Sequence, residues 1–71
     1  MFHKAFMSNI TLFEVVKRIN RLNGDQVKSL FEKFSVDLDE SQKLSSQREA
    51  LFGHVKTGNV TRESVMAMEV E

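Results

Sequence analysis

Residues 10–34 read ITLFEVVKRINRLNGDQVKSLFEKF, and this stretch decides the fold that the sequence predicts. Apolar residues recur every three or four positions on both sides of Asn23-Gly24-Asp25, which is the pattern of two amphipathic helices joined by a tight turn. Because the connection is short, we expect the two helices to be neighbours in an N-terminal helical hairpin.

The first predicted helix begins with the sequence of a capping box. Thr11 can accept a hydrogen bond from the backbone of Glu14, whose side chain can bond back to the cap. The apolar residues that follow cover about half of the helix circumference at about 100° per residue: they are Leu12, Phe13, Val15, Val16, Ile19 and Leu22. A face that wide can contact two neighbours, so we place this helix at the centre of the core, with a subunit interface as a second role for the same face. We expect the helix to stop at Asn23-Gly24, with Gly24 in a left-handed cap.

The second predicted helix is capped by Asp25 and carries a narrower apolar stripe. Its members are Val27, Leu30, Phe31 and Phe34. Two aromatic rings on so small a stripe require cover, either from the rest of the chain or from a second copy.

A third helix is predicted from about residue 40 to residue 56. Asp39 is the expected cap, with Gln42 at the third position, and Gly58 lies just past the expected end. Arg48 projects near the apolar stripe, where it either pairs with a carboxylate or lays its stem along apolar surface.

The last segment repeats the pattern of the first. Residues 59–65 match residues 9–15 in an Asn, a β-branched residue, a Thr and a Val, so Thr61 should cap a further helix while Val60 packs on Val65. Beyond Val65, the apolar residues alternate with a period of two, a pattern that suits a strand as well as a frayed helix.

The length of 71 residues predicts a single helical domain at residues 9–71, preceded by an N-terminal arm at residues 1–8. A domain this small buries only about 60% of the surface that its unfolded chain exposes. Small domains therefore often need a disulfide, a metal or a partner subunit, and this chain has no cysteine. The prediction is an all-α bundle of three to four helices, built on the N-terminal hairpin and dimeric.

Composition argues against several classes of function. Ten basic and ten acidic residues cancel, no run approaches the roughly 20 apolar residues of a membrane span, and no export signal is visible, so we expect a cytoplasmic protein. No glycine-rich phosphate loop or zinc motif occurs, and His3 and His54 are the only histidines. We therefore expect no catalytic residue, no cofactor and no metal.

DNA binding is the alternative function, because a helix pair around a glycine invites comparison with a helix-turn-helix. Lys17, Arg18 and Arg21 form a basic strip on the first helix that a phosphate backbone could contact. Four residues disagree with the motif: Asn20, Asn23, Asp25 and Lys33. Net neutrality also disfavours nucleic acid, and the simpler interpretation of the strip is a solvated helix face.

The favoured function is a small non-catalytic protein–protein interaction module that binds a larger protein. Its profile is that of a regulatory inhibitor or adaptor of the phage or mobile-element type. The support is the high number of phenylalanine and methionine side chains for a short chain, which are adaptable anchors at interfaces. The predicted partner or dimer contacts are Phe2, Phe6, Phe13, Val16, Phe31, Phe34, Met66 and Met68.

Overall fold

The computed structural model describes residues 9–70. These residues form four α-helices and no strand. The helices are α1 (Leu12–Ile19), α2 (Gly24–Lys33), α3 (Leu44–Lys56) and α4 (Arg62–Met66). The prediction of an all-helical fold is confirmed.

The helices share one apolar core. Its fully buried members come from every helix and from the turns at Leu22 and Val60; they are Val15, Ile19, Leu22, Val27, Leu30, Phe31, Leu51, Val55, Val60 and Val65. α1 packs on α3 and α4, and α2 packs on α3, whereas α1 and α2 make few contacts with each other. The predicted packing of the first two helices as a hairpin is therefore not confirmed, since each of them makes more contacts with later helices than with the other.

Both early helices start with a capping box, but the second starts earlier than predicted. In α1, the Glu14 backbone amide donates to Thr11 Oγ1 at 3.1 Å, and the Glu14 side chain accepts from the Thr11 amide at 3.2 Å. In α2, the cap is Asn23, whose side chain accepts from the Gln26 amide at 2.8 Å. Gly24 is consequently the first residue of α2 and has no positive φ. The predictions of a left-handed Gly24 and an Asp25 cap were wrong, because Asn23 and Gln26 together satisfy two orphan amides.

α2 and α3 end in the same backbone motif with different residues. Gly58 has a φ of 88°, and the amides of Gly58 and Asn59 donate to the carbonyls of Val55 and His54. After α2, Ser35 has a φ of 57°, and the amides of Ser35 and Val36 donate to the carbonyls of Glu32 and Phe31. Both are Schellman endings, which place one left-handed residue just past the helix. The sequence predicted the one with glycine and gave no signal for the one with serine.

The third helix begins four residues later than predicted. Asp39 accepts hydrogen bonds from the Ser41 hydroxyl at 2.5 Å and from the Ser41 amide at 3.1 Å, so it closes a local turn. α3 then starts at Leu44 after Lys43, whose side chain makes no capping hydrogen bond. None of the helices in residues 9–70 has both the length and the apolar content that a membrane span requires.

Candidate interaction surface

A groove runs between α1 and α3 and opens to solvent. It has a volume of about 200 Å³. Its lining residues are Val16, Ile19, Asn20, Ser45, Arg48, Glu49 and Phe52. They combine an apolar base with polar and charged edges, as ligand and peptide sites do. We call this feature the α1–α3 groove.

Phe13 stands next to this groove, one helical turn before Val16 on α1. It is 69% exposed and is the one strongly exposed large apolar side chain among residues 9–70. The Lys17 ammonium lies 5.2 Å from the centroid of the Phe13 ring, and the Lys56 ammonium lies at the same distance from the Phe52 ring. Each ring is therefore paired with a lysine through a cation–π contact.

Arg48 fixes the end of α1 beside the groove. Its guanidinium donates from Nη2 at 2.6 Å and from Nε at 3.1 Å to the carbonyl oxygen of Leu22. Within residues 9–70 the guanidinium therefore binds a carbonyl of the turn between α1 and α2 and not a carboxylate. These two hydrogen bonds connect α3 to the turn that follows α1, beside the groove.

The opposite side of α1 holds the C-terminal tail, residues 67–70, which follows α4 and is neither helix nor strand. Arg18 Nη1 donates to the carbonyl oxygens of Met66 at 2.7 Å and Met68 at 2.8 Å. Gln26 Nε2 donates to the Glu69 carbonyl at 2.6 Å. Met66 and Met68 are half-buried against the core. Their backbone is therefore tied to α1, and the prediction that they are contacts for a partner has no support from their surroundings.

The C-terminal tail also alters the surroundings of the basic strip on α1. Lys17, Arg18 and Arg21 line one shallow depression together with Glu14 and Met66. Arg18 differs from a solvated cation, because its Nη1 is engaged by two backbone carbonyls. A second arginine, Arg62, likewise donates to a carbonyl, that of Ile10, at 2.6 Å.

The phenylalanines predicted as contacts have different environments. Phe31 is only 2% exposed and lies in the core, where its ring makes an edge contact with the His54 ring at 5.6 Å between centroids. Its prediction as an interface residue was wrong, since α3 covers it within the same chain. Phe34 is half-buried, with the Lys33 ammonium 5.6 Å from its ring. The predicted contacts Phe2 and Phe6 lie outside the described residues.

Sequence reasoning missed the α3 wall of the groove. Phe52 is partly buried and packs against the core, and it also lines the groove. The signal was present, because Ser45, Glu49, Phe52 and Lys56 follow the spacing of one helix stripe. That stripe could not be recognised as a surface until α1 was placed beside it.

The chemistry of the described residues is that of a packed apolar interior. No polar or charged side chain is buried among residues 9–70, and no group of acidic or histidine side chains there could hold a metal ion. His54 is half-buried, and its Nδ1 lies 3.1 Å from Asn59 Nδ2. The pKa of Asp39 is lowered, first by the hydrogen bond from the Ser41 hydroxyl and second by that from the Ser41 amide.

Comparisons with known proteins give no relative from which a function could be transferred. No family model, no curated protein and no solved structure matches this chain.

Proposed function

We propose that this protein is a small, non-catalytic interaction module that binds a larger protein, as an inhibitor or adaptor, through Phe13 and the α1–α3 groove. The observation that carries the proposal is the 69% exposure of the Phe13 side chain. Full burial of such a side chain is worth about 1.5–3 kcal/mol, so the fold leaves roughly two thirds of that stabilisation unused. A partner that covers the ring would recover it.

The composition of the surface supports a protein as the ligand. Aromatic rings are enriched at protein interfaces, and residues that dominate binding lie in small desolvated patches. Phe13, Val16 and Phe52 supply apolar area, while Lys17 and Lys56 supply charge at the edge. A protein segment with an apolar anchor and flanking polar groups fits that combination.

A non-catalytic role is supported by the nature of the interior. Catalytic acids and bases usually owe their function to burial or to a close charge partner. In residues 9–70 every fully buried side chain is apolar. The groove itself contributes one carboxylate, Glu49, and its arginine is occupied by the Leu22 carbonyl.

The alternative, DNA binding through α1, has weaker support. Of the three residues in the basic strip, Arg18 donates from Nη1 to the carbonyls of Met66 and Met68. Phosphate contacts supply most of the non-specific affinity for DNA, and Arg18 keeps its charge but has fewer free donors for such contacts.

The test places a photoreactive benzoyl-phenylalanine at position 13 and, as a control, at the exposed position Ser29 on α2. We expect the reactive group at position 13 to form a covalent adduct with one other protein, and the group at position 29 to form no such adduct. Treatment with nuclease and high salt should leave the adduct from position 13 unchanged. The captured protein is then purified, and Phe13→Ala should weaken its binding about 30-fold, as expected for a dominant interface residue.

Three results would count against the proposal. Identical products from both positions would indicate non-specific capture. Unchanged affinity of the Phe13→Ala variant for the purified protein would exclude the Phe13 surface. Recovery of nucleic acid that is released by salt would favour the alternative.

A further inference from the structure

We propose that, in the free protein, Phe13 of each copy occupies the α1–α3 groove of a second copy, so that the chain forms a symmetric dimer. The inference rests on the proposed function in one respect, that this surface is an interaction surface. It goes further in naming the occupant.

The exposed ring and the groove match in size. The groove has a volume of about 200 Å³ and is lined at its base by Val16, Ile19 and Phe52. An apolar cavity of about 150 Å³ is enough to bind benzene. The groove can therefore take the ring of Phe13, which the chain itself leaves 69% exposed.

The positions along α1 allow the exchange to be reciprocal. Phe13 lies one turn before Val16, and Asn20 lies one turn after it, at the groove. If two α1 helices pair antiparallel about an axis near Val16, Phe13 of one copy faces Asn20 of the partner subunit. The same rotation brings the second ring to the first groove, which is the self-complementarity that a two-fold dimer requires.

The charges at the surface are complementary under the same pairing. Lys17 holds its ammonium 5.2 Å from the Phe13 ring centroid, so it travels with the ring to the groove. Glu49 lines that groove. Neither Lys17 nor Glu49 forms an ion pair with an oppositely charged side chain within residues 9–70. Docking would give each a partner, twice per dimer.

The experiment measures molecular mass by light scattering and sedimentation over a dilution series. We expect a wild-type dimer that dissociates on dilution, and a Phe13→Ala variant that stays monomeric. Lys17→Glu creates two Glu–Glu contacts per dimer, and Glu49→Lys creates two Lys–Lys contacts. Each single variant should therefore dimerise at least about tenfold more weakly.

A mixture of the two charge variants gives the sharpest result. In a heterodimer of Lys17→Glu with Glu49→Lys, both cross-interface pairs again have opposite charges, so an equimolar mixture should dimerise more strongly than either variant alone. Lys33→Glu and Glu32→Lys on α2 are the matched controls and should leave the wild-type mass unchanged. Circular dichroism verifies that each variant retains its helices.

A wild type that is monomeric at every concentration would overturn the dimer, as would a Phe13→Ala variant that still dimerises or a mixture that fails to recover. If the wild type is monomeric but its capture of another protein still depends on Phe13, the dimer is excluded while the proposed function survives. If the wild type is monomeric and its capture of another protein does not depend on Phe13, both the dimer and the proposed function are excluded.

Discussion

The two sides of α1 carry similar side chains, but one side is covered by the C-terminal tail and the other is exposed to solvent. On one side, Arg18 ties the backbone of Met66 and Met68 to the helix through two hydrogen bonds. On the other side, Phe13 stays exposed with Lys17 over its ring. At about 100° per residue, Arg18 and Val16 point about 160° apart, so one helix separates the two environments.

The difference shows that apolar residues near a cation do not by themselves identify an interface. Residues on both sides were predicted as contacts because phenylalanine and methionine side chains are adaptable anchors at interfaces. On the tail side, the hydrogen-bond donors of Arg18 find acceptors within the chain, since arginine can donate several hydrogen bonds to carbonyls at the end of a helix. The groove side offers rings and lysines, and a lysine over a ring leaves its remaining donors for water or a partner.

The largest expected effect compares two phenylalanines. Phe31→Ala empties a position that is 2% exposed, and it should lower the free energy of unfolding by about 3–5 kcal/mol. Phe13→Ala removes a ring that is 69% exposed, and at concentrations where the protein is monomeric it should change that free energy by less than about 0.5 kcal/mol. Urea unfolding followed by circular dichroism measures both. A large loss for Phe13→Ala in the monomer would mean that the ring supports the fold.

The tail provides the second prediction. Arg18→Met keeps the apolar stem but removes both hydrogen bonds to the carbonyls of Met66 and Met68. It should destabilise the protein by about 2 kcal/mol. For a domain of this size, that corresponds to a lower Tm by about 8–16 °C. Hydrogen exchange should accelerate in α4.

Lys28→Met is the matched control for that change. It removes a cation whose ion pair with Glu40 spans 3.6 Å between exposed side chains, and such pairs contribute less than about 1 kcal/mol. Equal destabilisation by the two variants would show that the tail is held by its apolar contacts and not by Arg18.

The smallest effect concerns the connection between α2 and α3, which is held by local bonds. The pKa of Asp39 is held below its ordinary value of 3.8 by the Ser41 hydroxyl and amide. A lowered pKa in the folded state means that the stabilisation is present above the ordinary pKa and is lost as the pH falls through the folded-state pKa. Asp39→Asn should therefore be slightly less stable than the wild type at neutral pH, with the difference disappearing in acid. Parallel pH titrations of unfolding test this, and a difference that grows in acid would contradict it.

Local patterns predicted several helix boundaries for a local reason. The capping box at Thr11, the cap at Thr61 and the glycine ending at Gly58 each depend on residues within a few positions of one another. The start of α3 was missed because Lys43 makes no side-chain cap. The ending at Ser35 was missed because serine rarely adopts a left-handed conformation without the packing that follows it.

The sequence by itself determined that the described chain is helical and which stripes are apolar, because helix periodicity and capping act within about one or two turns. Only the tertiary structure decided which of those apolar residues remain at the surface. Phe31 and Phe13 are the same residue type on similar helices, and what separates them is whether α3 packs over the ring. Similarly, Arg18, Arg48 and Arg62 are surface cations in the sequence but bind carbonyls between 26 and 52 positions away along the chain. Contacts over such distances depend on how all the helices pack together, and no local pattern encodes that.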